Sequence, residues 1–134
     1  MVDSRLIREW IGKADEDFNF ASSVIEDSPY YAQICFHYQQ AAEKYLKAFI
    51  VAKELEFQKI HDLLELLNIC RSKEPLFLNL ENDCIYLNRF YIDARYPVHW
   101  PADYSKKDAV AAKNAAENIA SMVKEFIGKF GSFS

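Results

Sequence analysis

Apolar residues recur at intervals of three and four along most of this chain, the spacing that puts side chains on one face of an α-helix. The first such run can be capped by Asp3 or Ser4 and ends near residues 27–29. The same periodicity predicts four further helices, at residues 30–54, 61–71, 78–92 and 105–128. At 1.5 Å per residue the second helix is roughly 37 Å long, so we expect it to be the central pillar of the fold.

The few helix-breaking residues are unevenly placed. Only three glycines and four prolines occur in 134 residues, and two of the prolines fall within residues 93–104, which we predict to be a loop. No strand-like alternation, internal repeat or linker interrupts the helical pattern. The chain is therefore predicted to be a single all-α domain over residues 1–130, an up-and-down bundle of four to five helices, with a frayed tail at 131–134.

Charge and cysteine content narrow the functional classes. The net charge is −4, which excludes a general electrostatic attraction to nucleic acid or to an anionic membrane, so that any RNA contact must be local. Cys35, Cys70 and Cys84 are an odd number without CxxC spacing, and we predict buried free thiols in a reducing cytoplasm. No segment has the length and apolarity of a signal peptide or a membrane span, and we expect neither.

One stripe of the second helix is rich in charged residues. On a helical wheel, Glu43, Lys44 and Lys47 fall within about 60° of Gln40. The spacing alone favours a solvated face with a Glu43–Lys47 ion pair contributing about 0.3 kcal/mol. Two apolar residues on the same stripe favour a partly covered face instead, either a dimer contact or a cleft wall. Large residues that we predict to be buried occupy the opposite side: Tyr38, Tyr45 and Phe49.

Residues 89–100 concentrate two arginines, several aromatic residues, an aspartate and a histidine where a helix gives way to a loop. An arginine offers a fork of donors that matches phosphate oxygens, and a neighbouring aromatic ring can stack on a base. Arg95 and Tyr96 are therefore candidate contacts for a nucleotide or for RNA phosphate. The structural alternative is that Arg95 pairs with an acid such as Asp93 or Glu43 and that the aromatic residues pack on the end of the bundle.

Three motifs occur in a fixed order: QQAAEKYLKA at residues 39–48, HDL at 61–63 and ARYP at 94–97. Flanked by an amphipathic first helix and a closing helix, they resemble the HEPN family. The resemblance implies a small helical domain that dimerises and works beside a separately encoded small nucleotidyltransferase. In some branches of the family it also implies RNA cleavage or nucleotide binding.

The preferred interpretation under this resemblance is a binding module without chemistry of its own. Arg95 and Tyr96, supported by Lys44, Lys47 and Glu43, would line a cleft that contacts nucleotide or RNA phosphate. No cofactor is expected. The protein would be a homodimer and one half of a two-component system, and apolar residues on otherwise polar faces also predict dimerisation. Those apolar residues include Phe36, Val51 and Phe90.

Two alternatives remain. The RNase branches of the family imply a metal-independent endoribonuclease toxin of a toxin–antitoxin pair, with Arg95 and His99 as the working pair. Those branches place four to six residues between the arginine and the histidine, whereas here three intervene and one is Pro97, which imposes extended backbone before it. This departure favours binding over cleavage, and enzymatic activity is left open. The other alternative is a plain dimerisation bundle.

The three histidines do not show metal-ligand spacing, and we predict no metal site. His61 stands at a helix start and is expected to cap and pack there. His37 lies beside aromatic residues and is expected to be an interior histidine with a bonding partner. With three glycines in the chain, a glycine-rich phosphate loop is excluded.

Overall fold

The computed structural model describes residues 3–56, 59–95 and 104–128, with the backbone alone at residues 92–95. These ranges form five α-helices and one short 3-10 helix, and they contain no strand. The all-α prediction is confirmed. The elements are α1 (Ser4–Val24), α2 (Tyr31–Ala52), α3 (Leu63–Lys73), the 3-10 helix (Pro75–Leu80), α4 (Glu81–Arg95) and α5 (Lys106–Gly128).

The largest difference from the predicted boundaries is in the fourth helix. The predicted helix over 78–92 divides into the 3-10 helix and α4, and α4 runs on to Arg95. Residues 93–95 are therefore helical and not part of a loop. The rest of the predicted loop up to residue 103 and the predicted frayed tail lie outside the described residues.

Side-chain caps define where α1 and α5 begin. Of the two candidate caps for α1, Asp3 is the one used, and its carboxylate accepts from the backbone N–H of Arg5 at 2.9 Å. At α5, the backbone N–H of Ser105 donates to Asp108 Oδ2 at 2.9 Å, and the Asp108 N–H donates back to Ser105 Oγ at 3.3 Å. This reciprocal pair satisfies donors that a helix N-terminus leaves without partners.

Helix α2 is the central pillar that its length predicts, since it packs against each of the other four α-helices. The residues predicted to be buried on it, Tyr38, Tyr45 and Phe49, are at most 1% exposed. The Phe49 ring packs on Phe77 of the 3-10 helix with centroids 4.5 Å apart, and Phe77 in turn lies 5.8 Å from Phe126 of α5. This packing fixes the rotation of α2, and with it the direction in which the polar stripe of α2 faces.

The predicted buried thiols are confirmed: all three cysteines are free and buried.

Phe90 is 1% exposed and belongs to the core, so the prediction that it forms part of an apolar surface patch is wrong. Its ring packs edge-on against Tyr86 and Tyr104. Phe36 and Val51 are half-buried, as a partly covered face requires. Within the described ranges, none of the helices has the length and apolarity needed to cross a bilayer.

Candidate functional site: a buried polar cluster on the central helix

The charged stripe of α2 is covered by its neighbours and is not a solvated face. Glu43 is 4% exposed and Lys47 6% exposed. The predicted ion pair between them is present, with Nζ of Lys47 2.9 Å from Glu43 Oε2. The Trp10 ring of α1 lies over the Lys47 ammonium at 5.8 Å. Because the pair is buried, the small contribution expected for a surface pair does not apply, and each ion depends on the other to offset its desolvation.

Glu43 also contacts His61, which precedes α3. The Nδ1 atom of His61 is 3.2 Å from both carboxylate oxygens of Glu43. A carboxylate has only acceptor atoms, so Nδ1 carries the hydrogen and donates. The capping role predicted for His61 belongs instead to Asp62, which accepts from the N–H of Leu64 at 2.8 Å. Glu43 thus joins a lysine of its own helix to a histidine of the next connection.

Asn88 of α4 holds the start of α3 in place. Its Oδ1 accepts from the backbone N–H of Leu63 at 2.8 Å, and its Nδ2 donates to Asp62 Oδ1 at 2.9 Å. Tyr91 lies three residues further along α4, about one helical turn away, and its ring stacks on His61 with centroids 5.0 Å apart and planes 16° apart. The HDL motif is therefore a turn fixed to α4, and this attachment sets the position of the His61 ring.

On the side of α2 that faces α1, Asp17 is the shared acceptor. It accepts from His37 Nδ1 at 3.0 Å and from Lys44 Nζ at 2.5 Å. The prediction that His37 has a bonding partner is correct. One turn before Glu43, the fully buried Gln39 accepts from Gln40 at 2.7 Å, while its own Nε2 has no hydrogen-bond partner among the described residues.

The predicted site residues divide into two groups. Glu43, Lys44 and Lys47 lie on α2 as the wheel places them, each paired with a partner within reach. Arg95 ends the backbone of α4, one turn after Tyr91, but its side chain and the whole of Tyr96 and His99 lie outside the described residues. The pairing of Arg95 with His99, and its alternative pairing with Glu43, therefore remain predictions.

Sequence reasoning missed four residues that position this cluster: Asp17, Asn88, Tyr91 and Trp10. Asn88 and Tyr91 are spaced to share one face of a helix, which is a usable signal. The partners that Asn88 and Asp17 select lie about twenty or more residues away, and helical periodicity carries no information on such contacts. Within the described ranges, no group of three or more His, Cys, Asp or Glu side chains is arranged to hold a metal ion.

The stacked rings of His61 and Tyr91 lie near the end of α4. With Nδ1 of His61 engaged by Glu43, Nε2 of the neutral ring is an acceptor, and the His61 side chain is 53% exposed. Tyr91 is half-buried next to it. Together they form a small rigid surface with aromatic faces and polar edges, which can stack on a planar group and accept a hydrogen bond.

Comparison with known proteins identifies the HEPN family, which the sequence motifs resemble, over nearly the whole chain. The family model described as HEPN domain matches residues 7–126. A Methanocaldococcus jannaschii protein named "Putative toxin MJ1304" is 24% identical over 131 residues, covering 88% of this chain and 86% of that protein. The crystal structure of ST0689, an archaeal HEPN homologue, is 28% identical with a TM-score of 0.74, over 90% of this chain and 97% of that one. The crystal structure of TT1696 from Thermus thermophilus is 29% identical with a TM-score of 0.77, over 89% of this chain and 96% of that one.

Proposed function

The chain belongs to the HEPN domain family, and from this membership we propose that it works beside a separately encoded small nucleotidyltransferase and contacts nucleotide or RNA phosphate with the ARYP motif, residues 94–97, which begins at the end of α4. In this proposal Arg95 supplies donors to phosphate oxygens and Tyr96 packs on the sugar or base. The protein acts as a homodimer and has no chemistry of its own.

The observation that supports the proposal is the stacking of the His61 ring on Tyr91, which lies on α4 one turn before Arg95. A contact site needs side chains held in one orientation before the ligand arrives, because ordering them afterwards reduces affinity. In this proposal the buried Glu43 and Lys47 support the site from within the bundle, since Glu43 binds His61 and Lys47 binds Glu43. Lys44, which is 27% exposed and paired with Asp17, lies at the edge of the same stripe.

The partnership is tested by assembly. The proposal predicts that an adjacent reading frame encodes a small nucleotidyltransferase. That protein is mixed with this one, and the mass of the complex is measured by light scattering after gel filtration. We expect a stable complex of the two chains, and a homodimer when this protein is alone at tens of micromolar. An adjacent reading frame that encodes no nucleotidyltransferase, or two proteins that elute separately, would contradict the partnership.

The second candidate is a metal-independent RNase toxin, which is favoured by the relative named a toxin. General acid–base catalysis by His99 would contribute on the order of 10²–10⁴-fold to the rate. Because only three residues separate Arg95 from His99 and one is Pro97, we expect little or no cleavage of RNA by the purified protein in EDTA. Robust cleavage that His99→Ala abolishes, and that His37→Ala leaves intact, would make the toxin the better account.

A further inference from the structure

A cavity of about 260 Å³ lies between the first half of α1 and the end of α5. Its lining residues are Ile11 and Asp15 of α1 with Lys124, Ile127 and Gly128 of α5. A Cβ added at Gly128 would meet nothing within 4 Å in the described part of the chain beyond its own stretch of helix, so the space beside it is open. The cavity is large enough for an aromatic ring, because an apolar cavity of about 150 Å³ already binds benzene.

The charged groups at the edge of this cavity are paired with each other. Lys124 Nζ donates to Asp15 Oδ1 at 2.9 Å, and the hydroxyl of the buried Tyr45 donates to the same oxygen. A charged ligand would have to displace one member of this pair, whereas an apolar group can pack beside it without disturbing either charge. The cavity therefore favours a neutral, apolar occupant that has polar atoms only at the rim.

The cavity separates two helices that have little direct contact. Helices α1 and α5 run antiparallel, since Lys124 near the end of α5 binds Asp15, while Lys106 at its start binds Glu26 just beyond α1. Among the pairs of α-helices that pack together in the described ranges, α1 and α5 have the least extensive contact. A group that fills the cavity would therefore join two helices that otherwise meet mainly through α2.

The segment that follows α5 carries an aromatic residue at a suitable distance from the cavity. Residues 129–134 read Lys-Phe-Gly-Ser-Phe-Ser. Gly131 is at the third position of the four residues 129–132, where a type II turn needs the positive φ that glycine adopts freely. The ends of such a turn lie within about 7 Å of each other, so the chain would reverse and bring Phe133 back beside Gly128.

We propose that residues 129–134 fold back on α5 through a turn at Gly131, and that the Phe133 ring fills this cavity and packs on Ile11 and Ile127. The segment then braces α1 against α5, which differs from the frayed tail expected from the sequence. None of the residues assigned to phosphate or partner binding takes part, so a failure of either proposal leaves the other intact.

The contact is measured by NMR on the full chain with labelled isoleucine δ1 methyl groups. We expect nuclear Overhauser effects (NOEs), which arise only between protons in close proximity, from the Phe133 ring to the methyl groups of Ile11 and Ile127. Phe133→Ser should abolish them. It should also accelerate hydrogen exchange of the amides around Ile11 by roughly tenfold or more, the factor expected for losing the burial of a phenylalanine ring.

Matched variants separate this contact from a general effect of the segment. Phe130→Ser removes the same kind of ring from the tip of the turn, and it should leave the Ile11 methyl shift and the exchange rates unchanged. Gly131→Asn can still adopt a positive φ and should keep the NOEs. Gly131→Val has a branched side chain that disfavours this conformation, and it should lose the NOEs as Phe133→Ser does.

The proposal is overturned if the wild-type protein shows no NOE between Phe133 and Ile11 or Ile127. Equal effects of Phe130→Ser and Phe133→Ser would also overturn it, because the cavity would then not select one ring. NOEs to the cavity from Met1 or from a differently labelled second molecule would show that the N-terminus or another copy of the chain is the occupant, and would equally contradict it.

Discussion

Glu43 and His61 are 18 residues apart in the sequence, yet Nδ1 of His61 lies 3.2 Å from both carboxylate oxygens of Glu43. The same carboxylate binds the Lys47 ammonium one turn along α2. One buried acid therefore ties the central helix to the turn that begins α3. A change at Glu43 should affect both the stability of the bundle and the orientation of the ring that faces the end of α4.

The first prediction concerns this acid. Glu43→Gln removes the carboxylate charge that pairs with the buried Lys47 ammonium and should lower the free energy of unfolding by about 3–5 kcal/mol, measured by urea denaturation. Glu16→Gln removes one partner of a pair that is about 70% exposed, and as the matched control it should cost at most about 1 kcal/mol.

A double variant checks the cause of that loss. Glu43→Gln combined with Lys47→Met removes both charges, and most of the stability lost in Glu43→Gln should return. If Glu43→Gln costs no more than Glu16→Gln, the buried pair does not stabilise the fold in the way described.

The second prediction concerns Asn88. Asn88→Ala removes both the acceptor for the Leu63 N–H and the donor to Asp62, and it should cost about 1–3 kcal/mol. The effect should be local, so that hydrogen exchange at the Leu63 amide accelerates more than exchange in α5. Asn82→Ala on the exposed side of α4 should change stability by less than about 0.5 kcal/mol. Unchanged exchange at Leu63 would show that Asn88 does not hold the turn.

The third prediction concerns the buried thiols. Burial raises the pKa of Cys35 and of Cys84 from 9.0 to about 12, because it disfavours the charged thiolate. Folded protein should therefore leave a thiol reagent unconsumed at pH 8, whereas protein unfolded in denaturant should titrate three thiols. Labelling of the folded protein at the rate of a free peptide thiol would contradict the burial.

The same shifts predict how stability changes with pH. Above pH 9 the unfolded chain loses protons from these thiols while the folded chain retains them, which favours unfolding. The stabilising contribution of the raised pKa values is complete below pH 9 and is lost progressively up to about pH 12. The thermal midpoint should fall between pH 8 and pH 10, and the fall should be smaller in a Cys35→Ala variant, which loses one of these titrating groups.

The helices and the all-α fold can be predicted from the sequence because helical periodicity is a local signal. The spacing of apolar residues places α2, and the buried aromatic residues Tyr45 and Phe49 lie where the wheel predicts. For Glu43 and Lys47 the charge spacing alone favours a solvated face, which is wrong, and only the two apolar residues on the stripe indicate the covered face that the structure has. A single helix cannot show that Trp10 and His61 are the residues that cover it. Burial of a charged face depends on distant segments, and sequence spacing does not report where those segments will pack.

The candidate site is less completely predictable for the same reason. ARYP and HDL are visible as motifs, but the residue that joins HDL to α4 is Asn88, which belongs to neither. In the sequence Tyr91 stands out only as part of an aromatic segment, and nothing there marks it as the ring that stacks on His61. Contacts between motifs follow from the packing of α3 against α4, and that packing is decided by the whole core.

The central claim is that Arg95 contacts phosphate, and the most direct measurement is the affinity for a short 5′-phosphorylated RNA by fluorescence anisotropy at fixed salt. Arg95→Ala should weaken binding by at least about tenfold, the loss of a charge-assisted hydrogen bond of about 1.5–3 kcal/mol, with the thermal midpoint nearly unchanged. Arg89→Ala removes an exposed arginine of the same helix, which packs on Tyr86, and should leave the affinity unchanged. A large fall in the melting temperature of Arg95→Ala with no change in RNA affinity would show that Arg95 is a structural residue, and would contradict the account.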